Sequence, residues 1–291
     1  MNQLLVGCSG WNYPQSGEEG GWVGPFYPTS TTKMLSYYSH YFNTAEMDSI
    51  FYDKFYSKMT KGTFIGMAKA VPEGFQFSLK VPETITHVKK LDMAKGAMAD
   101  FEHYLDKISP LKNTKKLGAI LFQLAPSFTV DNFRQTESFL DHLPSGYEYA
   151  MEFRHPSWQT EGPWEMLRQY NIAAVMTDSP DPKLKFLSNA IVTADHSLIR
   201  LHGRNKGYWY NYLYTEQELQ PWADKVQEIR NETKVLRTYF NNHPIGQSVA
   251  NALQFKEMTG EKLTKEQAKA KENVLQYLEN MKAVGKQTTL T

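Results

Sequence analysis

The chain has 291 residues, and its 32 basic and 31 acidic side chains give a formal net charge of +1. A balance this even argues against a broad binding surface for nucleic acid or for membranes, although it is compatible with a local basic pocket. No apolar run approaches the ~20 residues of a membrane-spanning helix, so we expect no membrane partner.

Eight short apolar runs follow one another along the chain, each with polar or charged residues at or near its end and each followed by a stretch that can form a helix. They are Leu4–Ser9, Thr44–Ile50, Phe75–Val81, Leu117–Leu124, Tyr149–His155, Ile172–Asp178, Ser197–Gly203 and Lys234–Asn242. This rhythm is typical of an α/β fold in which eight parallel strands close into a barrel inside a ring of helices. Because no linker, repeat or low-complexity segment divides the chain, we predict a single (β/α)8 TIM barrel over residues 1–260.

The first run contains the only cysteine of the chain, Cys8, which excludes an intramolecular disulfide and fits a reducing compartment. Strand phase directs Cys8 towards the helices, where a free cysteine serves as a small buried hydrophobic side chain rather than as a nucleophile. The N-terminus lacks the basic stretch followed by an apolar one that marks a secretory signal. We therefore expect a cytoplasmic protein.

The alternation of side chains within the runs predicts which residues face the barrel axis. Because the outer face of the strands must be apolar against the helices, Phe77 and Leu79 of the third run face outward and Lys80 faces inward. The same phase places six residues of the second, fifth and seventh runs in the barrel mouth: Glu46, Asp48, Glu152, Arg154, Arg200 and His202. Barrel enzymes place their chemistry at the C-terminal ends of the strands, so this cluster is the candidate site.

Together with Lys80, the cluster contains three carboxylates and three cations, and this composition allows two interpretations. Buried charges are costly unless they pair, so the set could be a structural lattice of salt bridges that fills the barrel. Arginine, however, binds phosphate or carboxylate groups in bidentate fashion, and lysine adds a point charge. We favour a functional cluster in which Lys80, Arg154 and Arg200 hold a small anionic substrate.

The other members of the cluster are candidate catalytic groups. Glu46 or Glu152 is the expected general base, and His202 is the expected acid or orienting group. No glycine-rich phosphate loop, zinc-protease motif, C-x-x-C pair or nucleophile elbow is present, so we expect no cofactor. A divalent metal is the less favoured alternative, because the nearby cations compete for its carboxylate and imidazole ligands. Its ligands would be Glu46, Glu152, Asp178 and His202.

Aromatic residues cluster in the stretches after the first and seventh runs. Most should pack these loops onto the barrel rim, whereas Trp11 and Trp209, which lie nearest the strand ends, should contact the substrate. In the eighth run, Phe240 should pack against helices, so Asn241 should reach the mouth. Asn242 should then serve the following turn through its side-chain oxygen.

The sequence after Gly260 differs from the rest, being rich in Lys, Glu and Ala with a narrow apolar stripe at Val274, Leu275, Tyr277, Leu278 and Met281. The stripe predicts an extra surface helix beyond the barrel. Residues 261–291 are accordingly expected to form a C-terminal extension that packs on the barrel or partly frays, with residues 285–291 as the frayed end.

Several short motifs resemble those of the YecE-like family, a family of unknown function. They are Gly7–Trp11, Gly24–Pro28, Phe42–Tyr52, Ile85–His87, Leu121–Leu124, Glu152–Trp158, Arg200–Arg204 and Tyr239–His243. The resemblance runs in order over residues 4 to about 256 and implies a TIM barrel, but it implies no reaction. Asp48 stands where the family more often has asparagine, and this extra carboxylate slightly favours metal or cation binding here.

The leading hypothesis is an enzyme that acts on a polar, anionic substrate by acid–base chemistry, through hydrolysis or isomerisation. The first alternative is a non-catalytic module that binds a nucleotide, a sugar phosphate or a nucleic-acid end through the same cations and aromatics. The second is a metal-dependent barrel of the sugar-isomerase or endonuclease type. A catalyst needs an ionisable group left unpaired at the mouth, whereas saturation of every carboxylate would favour a binding module.

Overall fold

Eight parallel strands form a closed barrel in which each strand pairs with its neighbours in sequence order and the last pairs with the first. The computed structural model describes residues 2–189 and 191–288. The strands are β1 Gln3–Ser9, β2 Thr44–Met47, β3 Gln76–Lys80, β4 Leu117–Gln123, β5 Tyr149–Glu152, β6 Ile172–Asp178, β7 His196–Leu201 and β8 Val235–Phe240. The predicted (β/α)8 barrel is confirmed.

Helices surround the barrel on the outside. They are α1 Met34–Tyr38, α2 Asp53–Tyr56, α3 Lys61–Ala70, α4 Ala97–Asn113, α5 Phe133–Leu140, α6 Glu161–Gln169, α7 Glu216–Ile229, α8 Gln247–Met258 and α9 Lys265–Thr288. The described part of the connection from β6 to β7 contains a 3-10 segment, Pro182–Ser188, in place of an α-helix. Within the described residues, no helix combines the length and apolar character needed to cross a membrane.

Most of the predicted runs extend past the strand that they contain. The second and fifth runs continue for three residues beyond Met47 and Glu152, where the chain has already left the sheet. Polar residues such as Asp48 and Arg154 therefore lie just after the strands, in the loops that form the barrel mouth. The sixth run, Ile172–Asp178, coincides with its strand.

The interior of the barrel is polar at several levels, in addition to a small apolar group that includes Leu121, Val175 and Leu198. Towards the N-terminal end, Arg237 donates to the side-chain oxygen of Gln76. One layer higher, the hydroxyl of Tyr239 lies 2.7 Å from the hydroxyl of Thr44 and 2.8 Å from that of Ser78. TIM barrels ordinarily fill this space with branched apolar side chains, so side chains here must be matched by hydrogen bonding as well as by shape.

The C-terminal helix α9 packs against the loop after β1 and the turn after β8. Val274 and Leu278 are buried, and Tyr277 lies so close to Gly17 that an added Cβ there would come within 2.5 Å of its ring. Val274 packs near Gly246, where an added Cβ would lie 3.5 Å from its side chain. The helix thereby fixes two loops that border the barrel mouth. It extends to Thr288, and residues 289–291 of the end expected to fray lie outside the described residues.

Cys8 is fully buried among apolar side chains. Its burial raises the pKa of the thiol to about 12, despite contacts with Ser248 and Tyr38. A thiol with so high a pKa carries almost no thiolate, which is the reactive form. The expectation of a small buried side chain is confirmed.

Candidate active site at the barrel mouth

A buried guanidinium lies at the centre of the barrel mouth. Arg200 on β7 donates from Nε and Nη2 to the two carboxylate oxygens of Glu46, each at 2.8 Å. Its Nη1 donates to Glu152 at 2.7 Å and to Gln123 at 3.0 Å, and its Nη2 also reaches Asp48 at 3.3 Å. All five N–H donors of a guanidinium are thus used within the protein. The side chain of Arg200 is 1% exposed.

This saturation argues against the expected role of Arg200 as a ligand for an anionic substrate. Strand phase correctly directed the side chain into the mouth, but its donors already hold two buried carboxylates. Those carboxylates would be costly to bury without such a partner. The role of Arg200 is therefore better described as structural support of the site.

The same network argues against Glu46 and Glu152 as general bases. Both side chains are fully buried, and Glu46 additionally accepts from the hydroxyl of Ser9 at 2.6 Å. Glu152 accepts from Arg154 at 2.6 Å on its other oxygen. Burial opposes ionisation of Glu152, but Arg200 and Arg154 outweigh it and hold its pKa well below the usual range. Neither carboxylate has a free oxygen that faces a substrate.

Asp48 is the least satisfied carboxylate of the cluster. Its Oδ1 lies 3.3 Å from both Lys80 Nζ and Arg200 Nη2, whereas Oδ2 accepts no hydrogen bond from any described residue. The side chain is 28% exposed and borders the open part of the mouth. Burial opposes its ionisation, yet Lys80 and Arg200 hold the pKa of Asp48 below its ordinary value. Strand phase predicts this position of Asp48 in the mouth but does not predict a catalytic role for it.

Two cations remain available at the mouth. Lys80 lies beside Asp48 and 3.7 Å above the ring centroid of Phe51, and burial lowers the pKa of its amine although Asp48 opposes this. Arg154 uses only Nη1, for its bond to Glu152, so that other donors of its guanidinium have no partner among the described residues. Its guanidinium carbon lies 5.9 Å from the ring of Trp209. These two side chains suit an anionic group better than Arg200 does.

His202 presents an unpartnered donor. Its Nδ1 lies 3.1 Å from the amide nitrogen of Asn241, and because an amide nitrogen can only donate, Nδ1 accepts and Nε2 carries the proton. Nε2 is buried and has no hydrogen-bond partner among the described residues, in a side chain that is 3% exposed. Burial, together with the charge of Arg200, lowers the pKa of His202 to about 3. The imidazole is therefore neutral near pH 7.

These groups border a polar cavity of about 250 Å³. Its lining includes six residues predicted from the sequence, Lys80, Arg154, Arg200, His202, Trp209 and Asn241. Glu46 and Glu152 lie beneath it, and Trp11 borders a neighbouring cleft instead. His87, which the sequence analysis missed as a site residue, also lines the cavity, and burial lowers its pKa to about 4. Its place seven residues after Lys80, in the loop that follows β3, was the available signal.

The two asparagines after β8 differ in their contacts. Asn241 reaches the mouth, as strand phase predicted. The prediction for Asn242 is wrong, because its amide donates to the carbonyl of Tyr212 and to the side chain of Asn251, while its own oxygen has no partner in the part of the chain that the structure describes. Asn242 thus connects the loop after β7 to helix α8 rather than serving the following turn.

The four side chains of the metal alternative do not converge. Asp178 is bound by Arg204, at 2.8 and 3.0 Å, and by the hydroxyl of Tyr214 at 2.6 Å. Arg200 lies between Glu46 and Glu152, where a divalent ion would need to bind. In residues 2–189 and 191–288, no group of three or more His, Cys, Asp or Glu side chains is arranged to hold a metal ion.

The sequence motifs that form the mouth match those of a known protein family. A family profile described as "Protein of unknown function DUF72" matches residues 5–274. The chain belongs to the DUF72 family. It is 25% identical over 280 residues to UPF0759 protein YunF of Bacillus subtilis, with 88% of this chain and 94% of YunF covered. It is 24% identical over 251 residues to UPF0759 protein YecE of Escherichia coli, with 79% and 83% covered. The resemblance to the YecE-like family is confirmed.

Solved DUF72 structures share the fold. A DUF72 family protein from Thermotoga maritima superposes with a TM-score of 0.74 at 31% identity, covering 89% of this chain and 100% of the other. A DUF72 family protein from Enterococcus faecalis gives a TM-score of 0.70 at 23% identity, covering 90% and 99%. These likenesses support a TIM barrel throughout the family, and their descriptions name no activity.

Arg200 should matter for the stability of this DUF72 protein more than Arg154 does. Arg200→Met leaves Glu46 and Glu152 buried beside an apolar side chain, so the free energy of unfolding should fall by about 3–5 kcal/mol. Arg154→Met is the matched control and should cost less than about 2 kcal/mol, since Glu152 keeps Arg200. Urea denaturation at pH 7 measures both values. Equal losses in the two variants would contradict a supporting role specific to Arg200.

The buried neutral state of His202 should appear in the pH dependence of stability. The unfolded chain binds a proton near pH 6.5, whereas folded His202 does so only near pH 3, so stability should fall as pH falls through this window. Between pH 6.5 and 5, above the range where unfolded carboxylates titrate, His202→Gln should reduce the slope by an amount that rises from about 0.7 kcal/mol per pH unit at pH 6.5 to about 1.4 kcal/mol per pH unit at pH 5. Replacing the exposed His40 is the control. An unchanged slope in His202→Gln would mean that folded His202 is readily protonated.

Proposed function

We propose that this protein is an enzyme that binds the anionic group of a polar small molecule at the barrel mouth and moves a proton on that molecule. The observation that carries the proposal is that two side chains lining one polar cavity each keep an atom without a hydrogen-bond partner among the described residues. Nε2 of His202 is a buried donor without a partner, and Asp48 keeps an oxygen free within the described part of the chain. Groups left unsatisfied in an otherwise saturated network are the ones that a substrate can satisfy.

The anionic group, a phosphate or a carboxylate, would bind to Arg154 and Lys80. Arg154 has donors to spare, and its planar guanidinium matches both kinds of anion. Lys80 contributes a positive charge from the end of β3. The three carboxylates and three cations of the cluster balance, so the bound group would rely on these local donors rather than on a strong net field.

The proton would pass to Asp48. Its carboxylate is held ionised by Lys80 and Arg200, and its Oδ2 can accept a proton from a bound substrate or water. Neutral His202 would donate a hydrogen bond from Nε2 to the oxygen on which negative charge develops. A histidine with a pKa of about 3 carries almost no imidazolium at neutral pH, so this hydrogen bond replaces the predicted role of general acid.

This division favours isomerisation over hydrolysis. In an isomerisation of a hydroxyketone, Asp48 would remove a proton from the carbon next to the carbonyl, and His202 would stabilise the resulting enediolate. The hydroxyl proton of the enediolate would then move to the former carbonyl oxygen, and protonated Asp48 would return its proton to the former carbonyl carbon. Hydrolysis needs a proton for the leaving group, and the ammonium of Lys80 is the acid that lies beside the cavity. Both reactions would use Asp48, His202 and Lys80, and neither would need a cofactor.

A non-catalytic binding module is the second candidate. Saturation of Glu46 and Glu152 favours it, because a binder needs only Arg154, Lys80 and the surrounding aromatics. The two candidates separate at Asp48, which a binder does not need. A metal-dependent barrel is less well supported, since Arg200 lies between the carboxylates and Asp178 is engaged elsewhere.

Proton exchange in deuterated buffer should distinguish these functions. Phosphorylated and carboxylated hydroxyketones would be incubated with the protein, and NMR would detect deuterium at the carbon next to the carbonyl. Asp48→Asn should slow exchange by about 100-fold or more with little change in KM, whereas Arg154→Met should mainly raise KM. Binding without exchange would favour the binding module. If no such compound binds and none exchanges its proton, the proposal is wrong.

A further inference from the structure

A second and larger cavity adjoins the polar one. It measures about 620 Å³ and shares the side chains of Asp48, Tyr52, Tyr210 and Asn241 with the polar cavity. These four residues form the boundary between the two spaces. A ligand held by Arg154 in the polar cavity could therefore extend into this neighbouring cleft.

One wall of the cleft is a stack of aromatic rings. Tyr13 stacks on His243 with centroids 5.0 Å apart and an interplanar angle of 13°, and His243 stacks on Tyr210 at 5.5 Å and 25°. Behind them, the fully buried Trp22 stacks on Tyr13 at 4.6 Å. Burial lowers the pKa of His243 to about 4, so the stack is uncharged near pH 7. Rings packed face to face in this way form a rigid wall.

The facing wall is apolar and adaptable. It includes the thioethers of Met47, Met59 and Met67, together with the ring of Phe55. Methionine fits irregular shapes and makes favourable sulfur–aromatic contacts. Among the described residues, Asp48, at the boundary with the polar cavity, is the only formally charged side chain that lines the cleft.

The exposure of aromatic side chains in this cleft indicates that it binds a ligand. Five large hydrophobic side chains are exposed among the described residues, and three of them line this cleft: Tyr52 at 44%, Phe55 at 44% and Tyr208 at 51%. Scattered exposed apolar residues need no explanation, but a contiguous exposed patch rimmed by polar groups marks a binding site. Here the patch continues into the polar cavity of the proposed active site.

We infer that the cleft binds an uncharged planar ring and that the substrate is an aryl or heteroaryl compound carrying a phosphate or carboxylate group. This inference rests on the proposed function for the position of the anionic group. The ring would lie between the aromatic stack and the methionines, where stacking and burial of apolar area both stabilise it. Trp11, which also lines the cleft, would contact the ring rather than the anion.

Calorimetric titration with three phosphonates tests the inference. Phenylphosphonate should bind at least about tenfold more tightly than methylphosphonate, which corresponds to about 1.4 kcal/mol, and more tightly than non-planar cyclohexylphosphonate. Phe55→Ala and Tyr208→Ala should remove most of this gain while leaving methylphosphonate unchanged. Ile65→Ala is the matched control, because Ile65 is as exposed as Phe55 at 44% but does not line the cleft. Arg154→Met should weaken binding of all three compounds.

Neutral benzyl alcohol, followed by NMR, tests the ring site without the anion. It should bind to the wild-type protein and to Arg154→Met alike, and Phe55→Ala should abolish its binding. If methylphosphonate binds through Arg154 but the phenyl group adds no affinity and benzyl alcohol does not bind, the ring site is wrong and the anion site stands. If benzyl alcohol binds but no phosphonate does, the ring site stands and the proposed anion site fails.

Discussion

The bidentate pairing of Arg200 with Glu46, extended to Glu152, is the interaction on which the barrel mouth depends. A guanidinium and two carboxylates that are removed from water lose several kcal/mol of hydration each, and only near-complete hydrogen bonding offsets this loss. Arg200 meets the condition by using every one of its donors. The strand ends of β2, β5 and β7 are thereby connected across the barrel axis. The polar layers below, around Tyr239 and Arg237, extend the same principle through the interior.

Because every donor of Arg200 is used within the protein, the polar atoms that are left to bind a ligand belong to the residues around it. Arg154 and Asp48 each touch the central network through part of their polar atoms and leave the rest towards the cavity. His202 is fixed through Asn241 on one ring nitrogen and presents the other. The supporting network and the groups proposed to act on the ligand are thus different residues of one cluster, although strand phase treats them alike. Helix α9 supports the arrangement from outside, since Tyr277 and Val274 fix the loops that carry Tyr13 and His243.

The fold and the composition of the mouth could be predicted because they depend on local periodicity. Alternation along each strand placed Glu46, Lys80, Glu152, Arg154, Arg200 and His202 on the inner face, and the structure brings all six together. Their roles could not be predicted in the same way, since a role depends on which partner takes which donor in three dimensions. Strand phase treats Arg200 and Arg154 alike, yet one is saturated and the other is not. Asp48 likewise differs from Glu46 through one free oxygen. The pairing of Asn242 with Asn251 and the 3-10 connection after β6 also depend on packing that no short pattern records.

The central claim is that Arg200 supports the site while Arg154 and His202 face the ligand. Nitrogen-15 NMR of the arginine Nε and histidine ring nitrogens during a titration with inorganic phosphate tests it directly. At pH 7, His202 should show the neutral tautomer protonated at Nε2, and phosphate should shift the signals of Arg154 Nε and His202 Nε2 while Arg200 Nε stays unchanged. A shift of Arg200 without one of Arg154, or an imidazolium signal from His202 at neutral pH, would contradict the account.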